Sequence, residues 1–402
     1  MWRTRIAAQI AACLVFVAAL AVVAAACGSS TPPSTPTPAS SATSTAASPS
    51  PVVSPSASPT PAQPGGSPAP AGFRAASVTF VSSDEAFVLG TAPGAGAVLL
   101  RTLDRGQSWV KLTAPNVTLG RPGSSGAHPA WGVRFASPSH GFVFGKGLWE
   151  TTDGGAHWAL DTAPSGSVLS LATIDGQVLA LTSVSPGGSA AAVLRRRPLA
   201  GGSWTTIGTV KSPDLLDPND LISTQAGTAA VLSGTSVLVT VNGGLTVHLR
   251  ATPSAPQPAT PSSVAVTSSG SLALLIAGPG AAGSTDKTVY TSADLGAHWT
   301  KAGTPSREGD PGTLAGGSPS SLLLTTASGA SWIFRSASAG KTWTTVLTYG
   351  DGGLGWADLG FTTPTHAVVI HGPADKSGNG DGRPGQLLLS SNGGATWEAV
   401  AF

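Results

Sequence analysis

Thr152-Asp153-Gly154-Gly155-Ala156-His157-Trp158 is one copy of a pattern that returns along most of this 402-residue chain. An acid is followed two positions later by glycine, and the glycine three positions later by tryptophan. The same offsets hold for Asp104, Gly106 and Trp109; for Asp153, Gly155 and Trp158; for Asp294, Gly296 and Trp299; for Ser338, Gly340 and Trp343; and for Asn392, Gly394 and Trp397. Two copies are degraded: Asn242-Gly243-Gly244 has Val247 in the tryptophan place, while Leu199, Gly201 and Trp204 lack the acid. First positions at 104, 153, 199, 242, 294, 338 and 392 are 43 to 54 residues apart, the length of one four-stranded propeller blade. Seven copies predict an all-β chain whose residues 73–402 form a seven-bladed β-propeller.

Six of the eleven tryptophans share one repeat position, which chance does not explain. In chemical terms the motif is a tight hairpin. The Asp or Asn side chain accepts from N–H groups of its own turn, and glycine supplies a backbone angle that other residues avoid. Tryptophan then opens the next strand, where its face is expected to tie together the outer strands of one blade. Four short strands fit between copies, as in Trp131-Gly132-Val133-Arg134-Phe135, Gly141-Phe142-Val143-Phe144, Leu148-Trp149-Glu150-Thr151 and Trp158-Ala159-Leu160. Each blade can be made from contiguous chain, so ring closure is expected to rest on contacts between blades one and seven. Composition agrees: 52 Gly, 33 Pro and only 10% charged residues describe a turn-rich β protein rather than a helical bundle.

The N-terminus sets the address. Arg3 and Arg5 precede an apolar run over 6–26 that ends at Cys27, which reads as an export signal over residues 1–26. The Ala24-Ala25-Ala26-Cys27 junction resembles the lipobox of bacterial lipoproteins, which implies cleavage before Cys27 and a lipid on its thiol; Ala24 stands where that family usually has Leu. An uncleaved anchor helix and plain secretion are the alternatives, and all three place the domain outside the cytoplasm, with a tether on the outer face of the cytoplasmic membrane in the first two. Residues 28–72, mostly Ser, Thr, Pro and Ala without a charge, are expected to form a disordered spacer. Of 21 Lys and Arg, the signal removes Arg3 and Arg5, so 19 face 19 Asp and Glu. A neutral domain gives no reason to expect nucleic acid. With Cys13 in the signal and Cys27 at its end, no disulfide can staple the domain. A monomer is expected.

The repeated segments resemble the Asp boxes, or bacterial neuraminidase repeats, of sialidases, sortilin-type receptors and photosystem II assembly propellers. That resemblance covers residues 73–402. It implies that the box joins the third and fourth strands of a blade on the face away from the ligand site, so the box residues are structural. Ligand residues are then expected on blade connections at the opposite face: Arg121, His128 and Trp131; Asp214, Asp217 and Asp220; Arg307, Glu308 and Asp310; Tyr349, Asp351, Trp356 and Asp358. Of these Arg121, His128, Trp131, Arg307, Tyr349, Asp351, Trp356 and Asp358 are the chosen candidates for sugar or peptide recognition. The competing reading is solvated loops, with Trp131 and Trp356 as first-strand packing.

Sialidase chemistry, as the resemblance implies it, needs three arginines, a tyrosine paired with a glutamate, and an aspartate acid. The first blade has Phe73-Arg74-Ala75-Ala76 where that family has Arg-Ile-Pro. Only Tyr290 and Tyr349 are present, and the glutamates are Glu85, Glu150, Glu308 and Glu398. No catalytic set assembles, so the expected function is a cell-surface, non-enzymatic propeller that binds or assembles a protein or glycan partner. The alternative is a sialidase-type glycoside hydrolase acting on envelope or host glycans. No cofactor is expected. Asp375, Ser377, Asn379 and Asp381 alternate like the start of a calcium loop, but Gln386 holds the twelfth place, Pro384 sits inside and no helix flanks it, so a Gly-rich hairpin loop competes with calcium. Gly278-Pro279-Gly280-Ala281-Ala282-Gly283 matches a dinucleotide pattern without the helix it needs. Arg195-Arg196-Arg197 reads as a solvated edge.

Overall fold

The structure is a computed structural model that describes residues 66–121, 129–184, 191–211, 221–254, 259–374 and 385–402. Seven antiparallel sheets follow one another, each from contiguous chain. Blade one comprises β1 (Arg74–Phe80), β2 (Ala86–Thr91), β3 (Ala97–Thr102) and β4 (Val110–Leu112). Blade two comprises β5 (Thr118–Leu119), β6 (Pro129–Phe135), β7 (Gly141–Gly145), β8 (Leu148–Thr151) and β9 (Ala159–Asp161), with β5 added in parallel to β6. Blade three holds β10 (Val168–Ile174), β11 (Gln177–Ser183), β12 (Ala191–Pro198) and β13 (Thr205–Lys211). Blade four holds β14 (Ser223–Gln225), β15 (Thr228–Ser233), β16 (Ser236–Val241) and β17 (Thr246–Ala251). Blade five has β18 (Thr260–Val266), β19 (Leu272–Ala281), β20 (Ser284–Ser292) and β21 (Thr300–Gly303). Blade six has β22 (Thr313–Ser318), β23 (Ser321–Ala327), β24 (Gly329–Ser336) and β25 (Thr344–Gly352). Blade seven has β26 (Trp356–Phe361), β27 (Ala367–His371), β28 (Gln386–Ser390) and β29 (Glu398–Ala399). Both degraded copies therefore still build their own sheet, and the dinucleotide-like segment is the β19–β20 hairpin, with Ala281 opposite Ser284.

The inner strands are apolar at nearly every position, as in Leu272-Ala273-Leu274-Leu275-Ile276, so each sheet has two apolar faces and buries both by stacking against its neighbours. The core is consequently a series of clusters between blades. One unites Phe87 and Leu89 of blade one with Val133 and Phe135 of blade two, where the rings of Phe87 and Phe135 stack at 3.6 Å. Another unites Ala357, Ile370 and Leu387 of blade seven with Ala75, Val78 and Trp109 of blade one. There Phe402 packs on Trp109 at 5.2 Å and on Phe73 at 4.7 Å. The chain terminus thus closes the ring by packing, without a shared strand. Residues ahead of β1 also take part: Lys111 N–H donates to the Ser67 carbonyl at 2.7 Å and Pro68 bridges to Val110, so an extended segment lines the outer edge of β4.

Within each intact box turn the geometry repeats. Asp153 Oδ1 accepts from His157 N–H at 2.9 Å and from the Thr151 hydroxyl at 2.8 Å, while Thr151 Oγ1 accepts from Gly155 N–H at 2.9 Å. Ser292 plays the part of Thr151 for Gly296, Ser336 for Gly340 and Ser390 for Gly394, each near 2.9 Å. The hydroxyl two residues before the acid is therefore a member of the motif that the acid, glycine and tryptophan pattern missed. Gly155 sits at φ 90°, a left-handed angle that favours glycine, and a Cβ there would meet Leu99 and Thr113 of blade one only at ordinary contact distance, so the backbone angle and not crowding selects glycine. The backbone N–H of His157 first, then its ring and the Thr151 hydroxyl, hold the Asp153 carboxyl down at about 2 against an ordinary 3.8. The unfolded chain thus takes up this proton before the folded chain does, so the contribution is complete above pH 3.8 and is lost as pH falls through about 2. Asp153→Asn is expected to flatten the fall in denaturation midpoint between those limits; parallel curves for variant and parent would refute this role for the carboxylate.

Two of the box tryptophans do a different job from the one expected. Trp158 Nε1–H donates to Thr113 O at 2.9 Å, and Trp299 Nε1–H to Ala251 O at 3.1 Å. These two indoles reach the blade before their own and link blades, whereas Trp343 Nε1–H donates to Gly340 O of its own turn at 2.9 Å. The physical reason is reach, because the side chain leaves the start of the outer strand at the blade's face, where the neighbouring sheet lies within one ring length.

Blade three departs most. At the hydroxyl position it carries Arg197, and where the acid belongs it carries Leu199. Arg197 is buried, donates from both sides of Nη2 to the Glu150 carboxylate at 2.9 Å and from Nη1 to Asp161 at 3.0 Å. Trp204 Nε1–H joins Asp161 at 3.3 Å, and His140 joins Glu150 at 2.7 Å. Arg197 is thus no part of a solvated edge. It replaces the local turn contacts of its own blade by ion pairs to blade two, a choice set by two carboxylates that lie 36 and 47 residues away in the chain.

Candidate functional site

Alternation of strand direction puts the box turns and the ends of the inner strands on one face. Blade connections, and the turns between second and third strands, occupy the other. The candidates fall in different surroundings. Trp131 is buried between inner strands and donates to Leu169 O at 3.1 Å. Arg121 is half-buried at the end of a described segment. Arg307 is exposed and pairs with Asp286 at 2.8 Å. His128, Asp214, Asp217 and Asp220, the calcium candidates Asp375, Ser377, Asn379 and Asp381, and the lipid candidate Cys27 lie outside the described residues. No cluster of metal-ligating side chains occurs among the described residues.

Tyr349, Asp351 and Trp356 are brought together at the junction of blades six and seven, where sequence reading missed two further members, Ser331 and His371. Asp351 Oδ2 accepts from His371 Nε2 at 2.5 Å and from the Ser331 hydroxyl at 2.8 Å, and Oδ1 accepts from Gly353 N–H at 2.9 Å. Burial pushes the Asp351 carboxyl upward, but these bonds outweigh it and hold it below its ordinary value. The Tyr349 ring stacks on His371 at 4.2 Å, and Trp356 leans on the same imidazole at 4.9 Å while donating to Thr326 O at 3.0 Å. Burial, and then the Asp351 charge, raises the Tyr349 phenol. Serine, histidine and aspartate are all present, yet Ser331 and His371 both bond to one carboxylate oxygen, so the imidazole is not placed between hydroxyl and acid as a general base would be. Gly355 N–H donates to Ser331 Oγ at 3.1 Å. The set fastens the connection between two blades and leaves Tyr349, half-buried with its hydroxyl 3.3 Å from Gln386 Oε1, at the surface.

Asp358 goes elsewhere. Seven residues after Asp351 it sits at φ 51° in an irregular stretch of β26, and its carboxylate turns into the ring. Oδ2 accepts from Val78 N–H of blade one at 2.6 Å, and Oδ1 pairs with Arg134 Nη2 of blade two at 2.9 Å. Serines do the same between other inner strands: Ser77 accepts from Val133 N–H at 3.1 Å, Ser223 from Val266 N–H and Ser263 from Leu314 N–H, both at 2.9 Å. Asp358 is the charged version of this latch at the point where the ring closes. Beside it the channel widens to a cavity of about 300 Å³ near the box face. Gln225 of blade four spans this end, its amide donating to Gly316 O at 2.9 Å and Phe361 O at 3.5 Å.

A further residue without sequence warning is Lys287. It is 2% exposed, and its ammonium lies 2.9–3.4 Å from the carbonyls of Thr285, Ser306, Arg307, Glu308 and Gly309. Burial lowers its pKa to about 8, although Asp310, Glu308 and Asp286 pull the other way. Five carbonyls around one ammonium fix the connection between blades five and six, and with it the position of Arg307.

No protein-family model matches this chain, and no curated protein does. Solved structures do match. The structure of YCF48 bound to D1 peptide is similar at TM-score 0.52 and 18% identity, over 80% of this chain and 94% of that one. YCF48 from Cyanidioschyzon merolae matches at TM-score 0.50 and 16% identity, over 81% and 97%. The tricorn protease matches at TM-score 0.51 and 9% identity, over 82% of this chain and 34% of its own. The fold is a seven-bladed β-propeller. At such identities the propeller architecture is what these proteins share, and the activity of none passes to this chain with it.

Proposed function

We propose that this propeller is a non-enzymatic binding or assembly module of the Asp-box type, exported and tethered to the outer face of the cytoplasmic membrane through lipid on Cys27. It would hold a protein or glycan partner on the face opposite the boxes. The observation that carries this reading is the use made of the candidate carboxylates. Asp351 is spent on His371, Ser331 and Gly353, and Asp358 on Val78 and Arg134. A glycosidase needs carboxyl groups free to face one sugar, about 5 to 10 Å apart. What remains accessible beside these locks is Tyr349, an aromatic ring with a polar tip that suits recognition. The propeller of YCF48 bound to D1 peptide gives the reading a parallel in kind.

The test uses the full-length protein in membranes. It is expected to be released, or left with its signal uncleaved, by Cys27→Ser, and to recover a protein or glycan from envelope extracts in a manner that Tyr349→Ala weakens. Aryl glycosides and sialosides are expected to remain intact. Turnover that disappears with Asp351→Ala, in a variant that still folds, would replace binding by hydrolysis.

A further inference from the structure

The same local sequence occurs in two boxes and is folded differently in each. Blade seven has Asn392-Gly393-Gly394-Ala395-Thr396, and blade four has Asn242-Gly243-Gly244-Leu245-Thr246. An asparagine followed by glycine is open to attack from its own main chain, because glycine has no Cβ to shield the nitrogen that follows the asparagine. A third such pair, Asn379-Gly380, lies outside the described residues. How firmly the side-chain amide is held then decides whether attack occurs.

In blade seven the amide is held at both ends. Asn392 Oδ1 accepts from Thr396 N–H at 2.9 Å and from the Ser390 hydroxyl at 3.0 Å, while Nδ2 donates to Thr396 Oγ1 at 2.8 Å. Pairing of β28 with β29 begins only at Leu389 and Glu398, so residues 390–397 are left to form this open turn. Blade four closes more tightly. Val241 lies opposite Thr246 and Thr240 opposite Val247, so only residues 242–245 stay outside the ladder. Leu245 N–H donates to the Asn242 carbonyl at 3.3 Å, and the Thr240 hydroxyl, in the place of Ser390, donates to Thr246 O at 2.8 Å instead. The Asn242 side chain is exposed and has no hydrogen-bonded partner among the described residues. Its backbone sits at φ 54°, a left-handed angle that costs a residue with a Cβ. Gly243 is buried, but the attacking nitrogen is part of the chain and needs no access from solvent.

We propose that Asn242 is a site of spontaneous deamidation in the folded protein, and that the intact box turn protects Asn392 from the same reaction. The Gly243 backbone nitrogen bonds to Asn242 Cγ and the Cγ–Nδ2 bond breaks, so ammonia leaves with the proton that the nitrogen gives up. Water then opens the cyclic imide at one carbonyl to give aspartate, or at the other to give isoaspartate. Either product adds a negative charge to blade four, and isoaspartate also inserts a methylene into the main chain at the β16–β17 turn. This site is separate from Tyr349, so its failure would leave the reading of the opposite face standing.

The experiment holds the full-length protein, in detergent, in warm and mildly alkaline buffer, and follows conversion of amide to acid at each asparagine by peptide mapping with fragment-ion localisation. Asn242 is expected to convert about tenfold or more faster than Asn392, a barrier lower by about 1.4 kcal/mol or more. In strong denaturant the two should convert at matching rates, since both are followed by Gly-Gly and only Val241 and Ser391 differ before them. Thr396→Val removes an exposed hydroxyl that holds the Asn392 amide, and is expected to speed conversion at Asn392 while leaving Asn242 unchanged. Equal rates at the two sites in the folded protein, or a gap that persists undiminished in denaturant, would overturn the proposal. No change at Asn392 in the Thr396→Val variant would overturn the protective role of the box.

Discussion

Asp358→Ala is expected to lower the unfolding free energy by about 3–5 kcal/mol, the range for removing one member of a buried ion pair. The carboxylate has two partners at the closure of the ring, Val78 N–H at 2.6 Å and Arg134 at 2.9 Å. Alanine leaves the first without an acceptor and the guanidinium without its counter-charge. The backbone stays at its left-handed angle in either variant, and alanine tolerates that angle less well than aspartate. Asp358→Asn keeps the acceptor and the local tolerance, so it should cost less than alanine, and the difference between the two isolates the charge. Urea denaturation followed by tryptophan fluorescence reads both. A midpoint for Asp358→Ala within error of the parent would refute the closure latch.

Arg197→Ala should be of the same size, about 3–5 kcal/mol, for a related reason. Its guanidinium neutralises Glu150 and Asp161 together and lies over the rings of Trp204 and Phe142 at 5.1 and 5.8 Å. Without it two half-buried carboxylates on adjacent strands of blade two are left at the junction without their cation. Arg197→Lys restores the charge but not the planar fork whose Nη2 meets Glu150 while Nη1 meets Asp161, and should recover only part of the loss. The engineered pair Arg197→Thr with Leu199→Asp rebuilds the local box and should still be less stable than the parent, because Glu150 and Asp161 lose their cation. If that pair matched the parent, the box turn would have been enough and the ion pairs to blade two would contribute nothing.

The number of blades, their boundaries and the position of each box were legible in the linear chain. The reason is that a box is local chemistry: the partners of Asp153 are Thr151 and His157, within four residues. The buried hydroxyl two residues before the acid was equally legible, in Thr102, Thr151, Thr240, Ser292, Ser336 and Ser390, and a pattern search that included it would have found the one blade, the third, where it is Arg197. The candidate site was legible only as a set of residue types on blade connections. Tyr349, Asp351 and Trp356 are neighbours in sequence and in space, but His371 and Ser331, which decide what Asp351 can do, reach it through pairing of other strands. Asp351 and Asp358 lie seven residues apart and have the same chemistry. The first is held by His371, twenty residues away, and the second by Val78 and Arg134, 280 and 224 residues away. Local hydrogen bonds thus specified the turns from the sequence alone, whereas the charged side chains took partners that only ring closure brings within reach, and those partners determined which carboxylates stayed free for function.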